Sequence, residues 1–166
     1  VKGITIRGEQ GMDQLRIPRI ISGAFADAPH ASGREAAIYG KLVAARETEA
    51  SLVAVASFKR IVGHVLFSEV RIDGEHRRWL GLGPLSVLPK WRRQGIGGAL
   101  VAHGLEAVRR DWDGCVVLGD PAFYGRFGFE HDPALVYPGP PPEFFQRIVF
   151  RGPAPQGTVT YPSAFG

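Results

Sequence analysis

Two hydrophobic periods alternate along the chain. Residues 3 to 7 (GITIR) switch between apolar and polar side chains and predict a first strand. From 11 to 26, Met12, Leu15, Ile20, Ile21 and Phe25 fall at helical spacing, with a break at Pro18. Ser32 and Glu35 then stand at capping-box spacing. They predict a helix through Ile38, Leu42 and Val43 that ends near Arg46. Residues 51 to 58 and 61 to 72 are rich in β-branched and aromatic residues, and Lys59-Arg60 between them predicts a tight hairpin. Asp73-Gly74 predicts another turn, leading into a strand from Arg78 to Leu88.

That last strand contains Gly81, Gly83 and Pro84. A proline lacks the N–H that a ladder needs, so a bulge or an edge is expected there. Beyond it, Ile96, Leu100, Val101, Leu105 and Val108 mark one face of a helix starting at 96. Residues 115 to 119 (CVVLG) predict a short buried strand, parallel to its neighbour because a helical crossover precedes it. Asp120-Pro121 opens a short helix that ends near Gly128, since proline suits a first helical turn. Residues 138 to 142 (PGPPP) read as a stiff loop, 144 to 150 as a strand, and Val159 to Tyr161 as a further one. No repeat and no internal boundary interrupts the pattern. The expectation is one α/β domain over residues 1 to 166, with a core of ordinary size for this length.

Composition narrows the class. A hydrophobic content of 45% and a charged content of 22% suit a soluble globular chain, and no apolar run approaches a membrane span. The net charge of +4 leaves nucleic acid open as a ligand, but the basic residues are dispersed and no recognition motif accompanies them. Nucleic acid is therefore not expected as a partner. One cysteine, Cys115, excludes an internal disulfide and fits a cytoplasmic location. Its apolar neighbours Val116 and Val117 point to a buried, inert thiol. No Cys/His cluster has metal-ligand spacing, and no metal is expected.

The chemistry concentrates in residues 85 to 98, LSVLPKWRRQGIGG. A strand ends at Pro89, a basic turn follows, and glycines at Gly95, Gly97 and Gly98 open a helix. Glycines leave backbone N–H groups bare, and the first N–H groups of a helix lack intrahelical partners and attract anions. Lys90, Arg92 and Arg93 add positive charge. The physical expectation is a pyrophosphate site. The stretch is not a P-loop, for no Gly-Lys-Ser/Thr occurs. Nor is it a dinucleotide fingerprint, for Leu100 occupies the last glycine's place.

Arg92-x-x-Gly95-x-Gly97 resembles the R/Q-x-x-G-x-G/A signature of the GNAT superfamily of N-acetyltransferases. Phe123-Tyr124-Gly125-Arg126-Phe127-Gly128-Phe129 is similar to that family's Tyr-x-x-x-Gly-Phe element. The resemblance covers residues 3 to 131, and the remainder is similar to a bacterial subgroup of these proteins. It implies a mixed, mostly antiparallel twisted sheet flanked by helices, with a splay at the 78 to 88 strand that admits acyl-CoA. It also implies acetyl transfer from acetyl-CoA to a primary amine, on a small molecule or a peptide, by direct attack. The alternative is a non-catalytic acyl-CoA-binding module.

On the same resemblance, Val87 pairs with the pantetheine arm, the Leu85 N–H faces the thioester carbonyl, and Arg92, Arg93, Gln94, Gly95, Ile96, Gly97 and Gly98 hold the pyrophosphate. Tyr124 is the expected acid for the leaving thiolate. The competing reading is a ring that only packs on the coenzyme. Phe123 and Tyr124 line the acyl end, while the first two helices and the 138 to 142 loop meet the acceptor. A homodimer through Phe144-Phe145 is a further expectation, since dimers are frequent in the family.

Two positions depart from the family pattern. Some relatives that acetylate protein lysines carry a glutamate four residues before the carbonyl-binding position, where this chain has Gly81. Many relatives have an asparagine seven residues before the tyrosine, where this chain has Val117. The general base is left open among water, His64, Glu69 and Asp120. His64 lies mid-strand, Glu69 reads as a solvated strand residue, and Asp120 suits a helix cap.

Overall fold

The structure is a computed structural model that describes residues 1–166. Six strands form the main path of the sheet: β1 (Thr5–Gly8), β2 (Ala50–Ala56), β3 (Arg60–Ile72), β4 (Glu75–Val87), β5 (Gly114–Leu118) and β7 (Phe145–Val149). They lie side by side in the order β1-β2-β3-β4-β5-β7. Only β4–β5 is parallel on this path. β8 (Gly157–Thr160) pairs with the far end of β3, and the two-residue β6 (Leu135–Val136) pairs with β8. The β6–β8 bridge has no counterpart in the hydrophobic pattern, because two residues carry no period.

The turns follow their residues. Asp73 and Gly74 both take positive φ (51° and 78°), the conformation that suits a two-residue hairpin between β3 and β4. The β2–β3 turn lies one residue earlier than its sequence suggests. It uses Ser57–Lys59, with Phe58 and Lys59 at positive φ, and Arg60 already opens β3. Pro18 does not break a helix. A short 3-10 turn over Gly11–Leu15 precedes helix α1 (Ile17–Phe25), and Pro18 sits in the first turn of α1, where its missing N–H costs nothing. Helix α2 (Glu35–Ala45) starts as expected. The Glu35 carboxylate accepts the Ser32 N–H at 2.7 Å and the Ser32 hydroxyl at 3.1 Å, and that hydroxyl in turn accepts the Arg34 N–H at 3.1 Å.

Each face of the sheet buries one set of alternating side chains. Helix α3 (Ile96–Val108) lays Leu100, Val101, Leu105 and Val108 onto Val65, Phe67, Leu80 and Leu82. On the opposite face, α1 and α2 place Ile17, Ile21, Tyr39 and Leu42 against Val53, Ile61 and Leu66. A third cluster, with Val70, Trp79, Val116 and Val159, extends that face under the C-terminal segment. Cys115 is buried and free, as expected, and burial pushes its thiol pKa up. No helix is long and apolar enough to cross a membrane.

The sheet opens in one place. β4 pairs with β5 from Trp79↔Gly114 to Leu82↔Val117 and no further, while its pairing with β3 continues to Gly63↔Val87. At the same point the β3–β4 register jumps from Phe67↔Leu82 to Val65↔Leu85, so Leu66 faces two residues, Gly83 and Pro84. Gly83 has φ 148°, a region that favours glycine. The extra residue turns β4 away from β5. Glycine and proline at a bulge are thus the local cause of the splay.

Gly104 tests how tightly α3 seats. A Cβ there would lie 2.5 Å from a Phe67 ring carbon. Replacing a helical glycine by alanine gains about 1 kcal/mol in propensity, whereas overpacking a dense core costs about 1–3 kcal/mol. Gly104→Ala is expected to lower stability in a urea titration. A net gain would show that the α3–sheet contact is loose.

Candidate active site

The open edge of β4 leads directly into the glycine turn. After Val87, a 3-10 turn (Pro89–Trp91) carries the chain to Arg93 at φ 61° and Gly95 at φ 84°. Gly95 caps α3 from the left-handed region, which its missing side chain allows. The first N–H groups of α3 therefore emerge beside the splay. A cavity of about 810 Å³ lies against them.

Most of the sequence candidates meet on its wall. Leu85 and Val87 form one side, and Arg92, Arg93, Gly95, Ile96, Gly97 and Gly98 form the floor. Phe123 and Phe127 form the opposite side. A Cβ on Gly97 would come within 3.7 Å of Phe123, and one on Gly98 within 3.5 Å of Phe127. Larger side chains at either glycine would fill the cleft. Gln94 and Tyr124 are not on this wall. The Gln94 side chain turns back to donate to the Lys90 carbonyl at 3.3 Å.

Arg92, on the cavity floor, also reaches back to the end of α1. Its guanidinium lies 3.2 Å from the Asp27 carboxylate and also donates to the carbonyls of Ala24 and Val87. The Arg92 guanidinium holds the Asp27 carboxyl below the usual range. Arg92 thus ties the end of α1 to the turn, and its charge is already balanced. Asp27 is 65 residues away, so local sequence carried no sign of this contact.

Helix α4 (Pro121–Tyr124) is capped by Asp120, whose side chain accepts the Ala122 N–H at 2.9 Å. The cap orients Tyr124. Its ring packs edge-on against Phe123 at 4.8 Å and Phe129 at 5.8 Å, and sits over Gly119, where a Cβ would clash at 2.4 Å. Burial pushes the Tyr124 phenol up to about 12. A phenol so placed keeps its proton throughout the neutral range.

The remaining candidates for a base are engaged elsewhere. Asp120 caps α4. Glu69 lies 2.9 Å from His76. His64 is wholly buried, with Nε2 2.8 Å from the Ser51 hydroxyl and the Tyr39 ring edge-on at 5.4 Å. Burial lowers the pKa of His64 to about 3. Gly81 explains itself in space. The Tyr161 ring lies over it, 2.5 Å from where a Cβ would be, beside Val70. Tyr161 and Tyr124 belong to clusters on opposite faces of the sheet, so the two phenols flank the end of the β4–β5 ladder. Burial raises the Tyr161 pKa, with Cys115, Tyr137 and Tyr124 as neighbours. Tyr161 also lines a second cavity, of about 830 Å³, which Glu49 and Glu69 share. Burial and the nearby Glu69 raise the Glu49 pKa. Val117 is core, paired with Leu82 at the last rung of the ladder.

Residues 47–131, half of the chain, match the family model for the acetyltransferase (GNAT) domain. The chain belongs to the GNAT family. Among solved structures, a GNAT family acetyltransferase from Brucella melitensis in complex with acetyl-CoA is 37% identical, with a TM-score of 0.87 and 98% of both chains covered. The GNAT protein YhbS from Escherichia coli, in complex with CoA, is 32% identical, with a TM-score of 0.89 over 98% of this chain and 91% of that one. By sequence, the uncharacterised N-acetyltransferase YhbS of Escherichia coli is 42% identical over 93 residues, 53% of this chain. YjhQ from the same organism is 34% identical over 103 residues, 58% of this chain. Each of these two sequence matches spans 56% of the curated relative, little more than half its length. The splayed sheet and glycine turn are thus the GNAT architecture that the sequence resemblance implied.

His64 supplies a pH test of the core behind this GNAT site. A buried imidazole with its folded pKa below the ordinary 6.5 contributes stability that is full above that value and lost as pH falls toward about 3. Unfolding free energy should drop by about 1 kcal/mol between about pH 7.5 and about pH 5.5. His64→Gln should flatten that slope. An unchanged slope would mean that another group carries it.

Proposed function

We propose that this GNAT protein transfers an acetyl group from acetyl-CoA to a primary amine, by direct attack within a ternary complex. The carrying observation is the cavity shared by the open edge of β4 and the bare N–H groups at the start of α3. A strand edge and a helix N-terminus offer fixed donors, one set for an extended amide-bearing arm and the other for a pyrophosphate. The relatives in complex with acetyl-CoA and CoA support that choice of ligand.

Within this reading, the Leu85 N–H faces the thioester carbonyl and stabilises the oxyanion as the amine adds. Such a donor contributes about 3–4 kcal/mol. The Val87 backbone pairs with the pantetheine arm. Arg93 and the N–H groups from Gly95 to Gly98 hold the pyrophosphate, while Arg92 keeps the turn in place through Asp27. Tyr124 donates its proton to the departing thiolate. The phenol holds its proton at neutral pH, where a departing thiolate can take it.

The amine reaches β4 from the opposite face, through the cavity that Tyr161 lines. Glu47, Glu49 and Glu69 share that cavity with Arg46 and Arg71, so it offers partners for charges of both signs. No side chain near the splay is free to act as a strong base. A lysine-like amine titrates near ~10.4, so its proton leaves to water and the rate rises with pH.

Thiol release from acetyl-CoA, measured against spermidine, tyramine, lysine and a peptide α-amine, tests the reading. Stimulation by at least one amine is expected. Tyr124→Phe should cut turnover by about 10²-fold or more while leaving CoA affinity within about twofold. Tight CoA binding without release across the panel would favour a non-catalytic acyl-CoA-binding module. Unchanged turnover in the variant would remove Tyr124 from the acid role.

A further inference from the structure

Arg126 has no role in the site as described so far. It follows α4 on the exposed side of the cavity, opposite the glycine turn. Its guanidinium carbon lies 5.0 Å from the centroid of the Phe123 ring and 5.6 Å from that of Phe127. Its Nε donates to the Phe123 carbonyl at 3.4 Å, and no carboxylate pairs with it. The same two rings face Gly97 and Gly98. The guanidinium therefore stands about one aromatic ring away from the first turn of α3.

The charge balance of the cavity gives this placement meaning. Three arginines line it: Arg92, Arg93 and Arg126. Arg92 is neutralised by Asp27. Arg93 lies in the turn itself, beside the N–H groups that serve a pyrophosphate. Arg126 is a further unneutralised cation on the far wall. Two aromatic rings hold its planar fork, so little freedom remains to be lost when an anion docks. A guanidinium fork matches phosphate oxygens. A ligand with a pyrophosphate alone would use the turn and leave Arg126 idle. Coenzyme A carries a third phosphate, a monoester on its ribose, with a charge of about −1.5 to −2 near neutral pH. That group hangs from the ribose, apart from the pyrophosphate, as Arg126 stands apart from the glycine turn across the Phe127 ring.

We propose that Arg126, stacked on Phe123 and Phe127, is the subsite for the 3′-phosphate of coenzyme A and makes the protein select the coenzyme over its 3′-dephospho form. The proposal rests on the acyl-CoA reading of the cavity.

Calorimetry at fixed ionic strength tests it, with CoA and 3′-dephospho-CoA as the two probes. Wild-type protein should bind CoA about tenfold more tightly, or better, since a charge-assisted contact of this kind is lost in the dephospho form. Arg126→Met keeps the packing on the rings and removes the charge. It should bring CoA down to the affinity of dephospho-CoA while leaving dephospho-CoA within about twofold of wild type. Arg126→Lys should restore part of the preference. Arg93→Gln should weaken both probes by the same factor. Equal weakening of both probes by Arg126→Met would assign Arg126 to the pyrophosphate and overturn the proposal. So would an unchanged preference, or equal binding of the two probes by wild type. Failure of wild-type protein to bind either probe would instead overturn the acyl-CoA reading itself.

Discussion

A buried or half-buried backbone amide needs a partner, and β4 runs out of them on one side after Leu82. Its other side stays zipped to β3 as far as Val87, so the strand cannot curl away to satisfy itself. The rest of the molecule is arranged around that half-open strand. β3 holds it rigid, α3 starts beyond its end, and α4 with the turn after it places the Phe123 and Phe127 rings across the gap. What the fold leaves unmet is a set of fixed hydrogen-bonding groups at the mouth of a cavity. A ligand rich in amides and phosphates meets that demand.

The same opening divides the protein by face. Tyr124 and the α3 cluster lie on one side of the sheet, Tyr161 and the C-terminal segment on the other. The two phenols approach the end of the β4–β5 ladder from opposite directions. The Asp27–Arg92 pair crosses between these halves, since it joins α1 to the glycine turn. Its effect on recognition is subtractive. The Arg92 charge is balanced within the chain, which leaves Arg93 and Arg126 as the cavity arginines without a carboxylate partner.

Much of this was legible in the residues. The glycine turn, the helix after it, the Asp120 cap and the bulge at Gly83-Pro84 are local events with local signatures, and each formed where the pattern placed it. Boundaries slipped where a turn had a choice, as at Ser57–Lys59, and where proline tolerates a first turn as readily as it ends a helix, as at Pro18. The partners that lie far apart in the chain were not legible. Nothing around Arg92 announces Asp27, and nothing around Gly81 announces Tyr161. Arg126 and Phe127 stood inside a recognised block, but their role in the cavity wall depends on how α4 is set against α3. The two-residue β6 is below the length at which any pattern exists.

Gly81 and Tyr161 have an evolutionary consequence. Eighty positions apart, they occupy one volume: the glycine has no side chain because the tyrosine ring is already there. Neither is free to change alone. A side chain at Gly81 would have to be preceded by a smaller residue at Tyr161, and a smaller residue at Tyr161 would leave a hole that a side chain at Gly81 would fill. The two should be inherited as a linked pair. Chains with this arrangement would then differ from relatives with a charged residue at the Gly81 position in how the last segment is folded back.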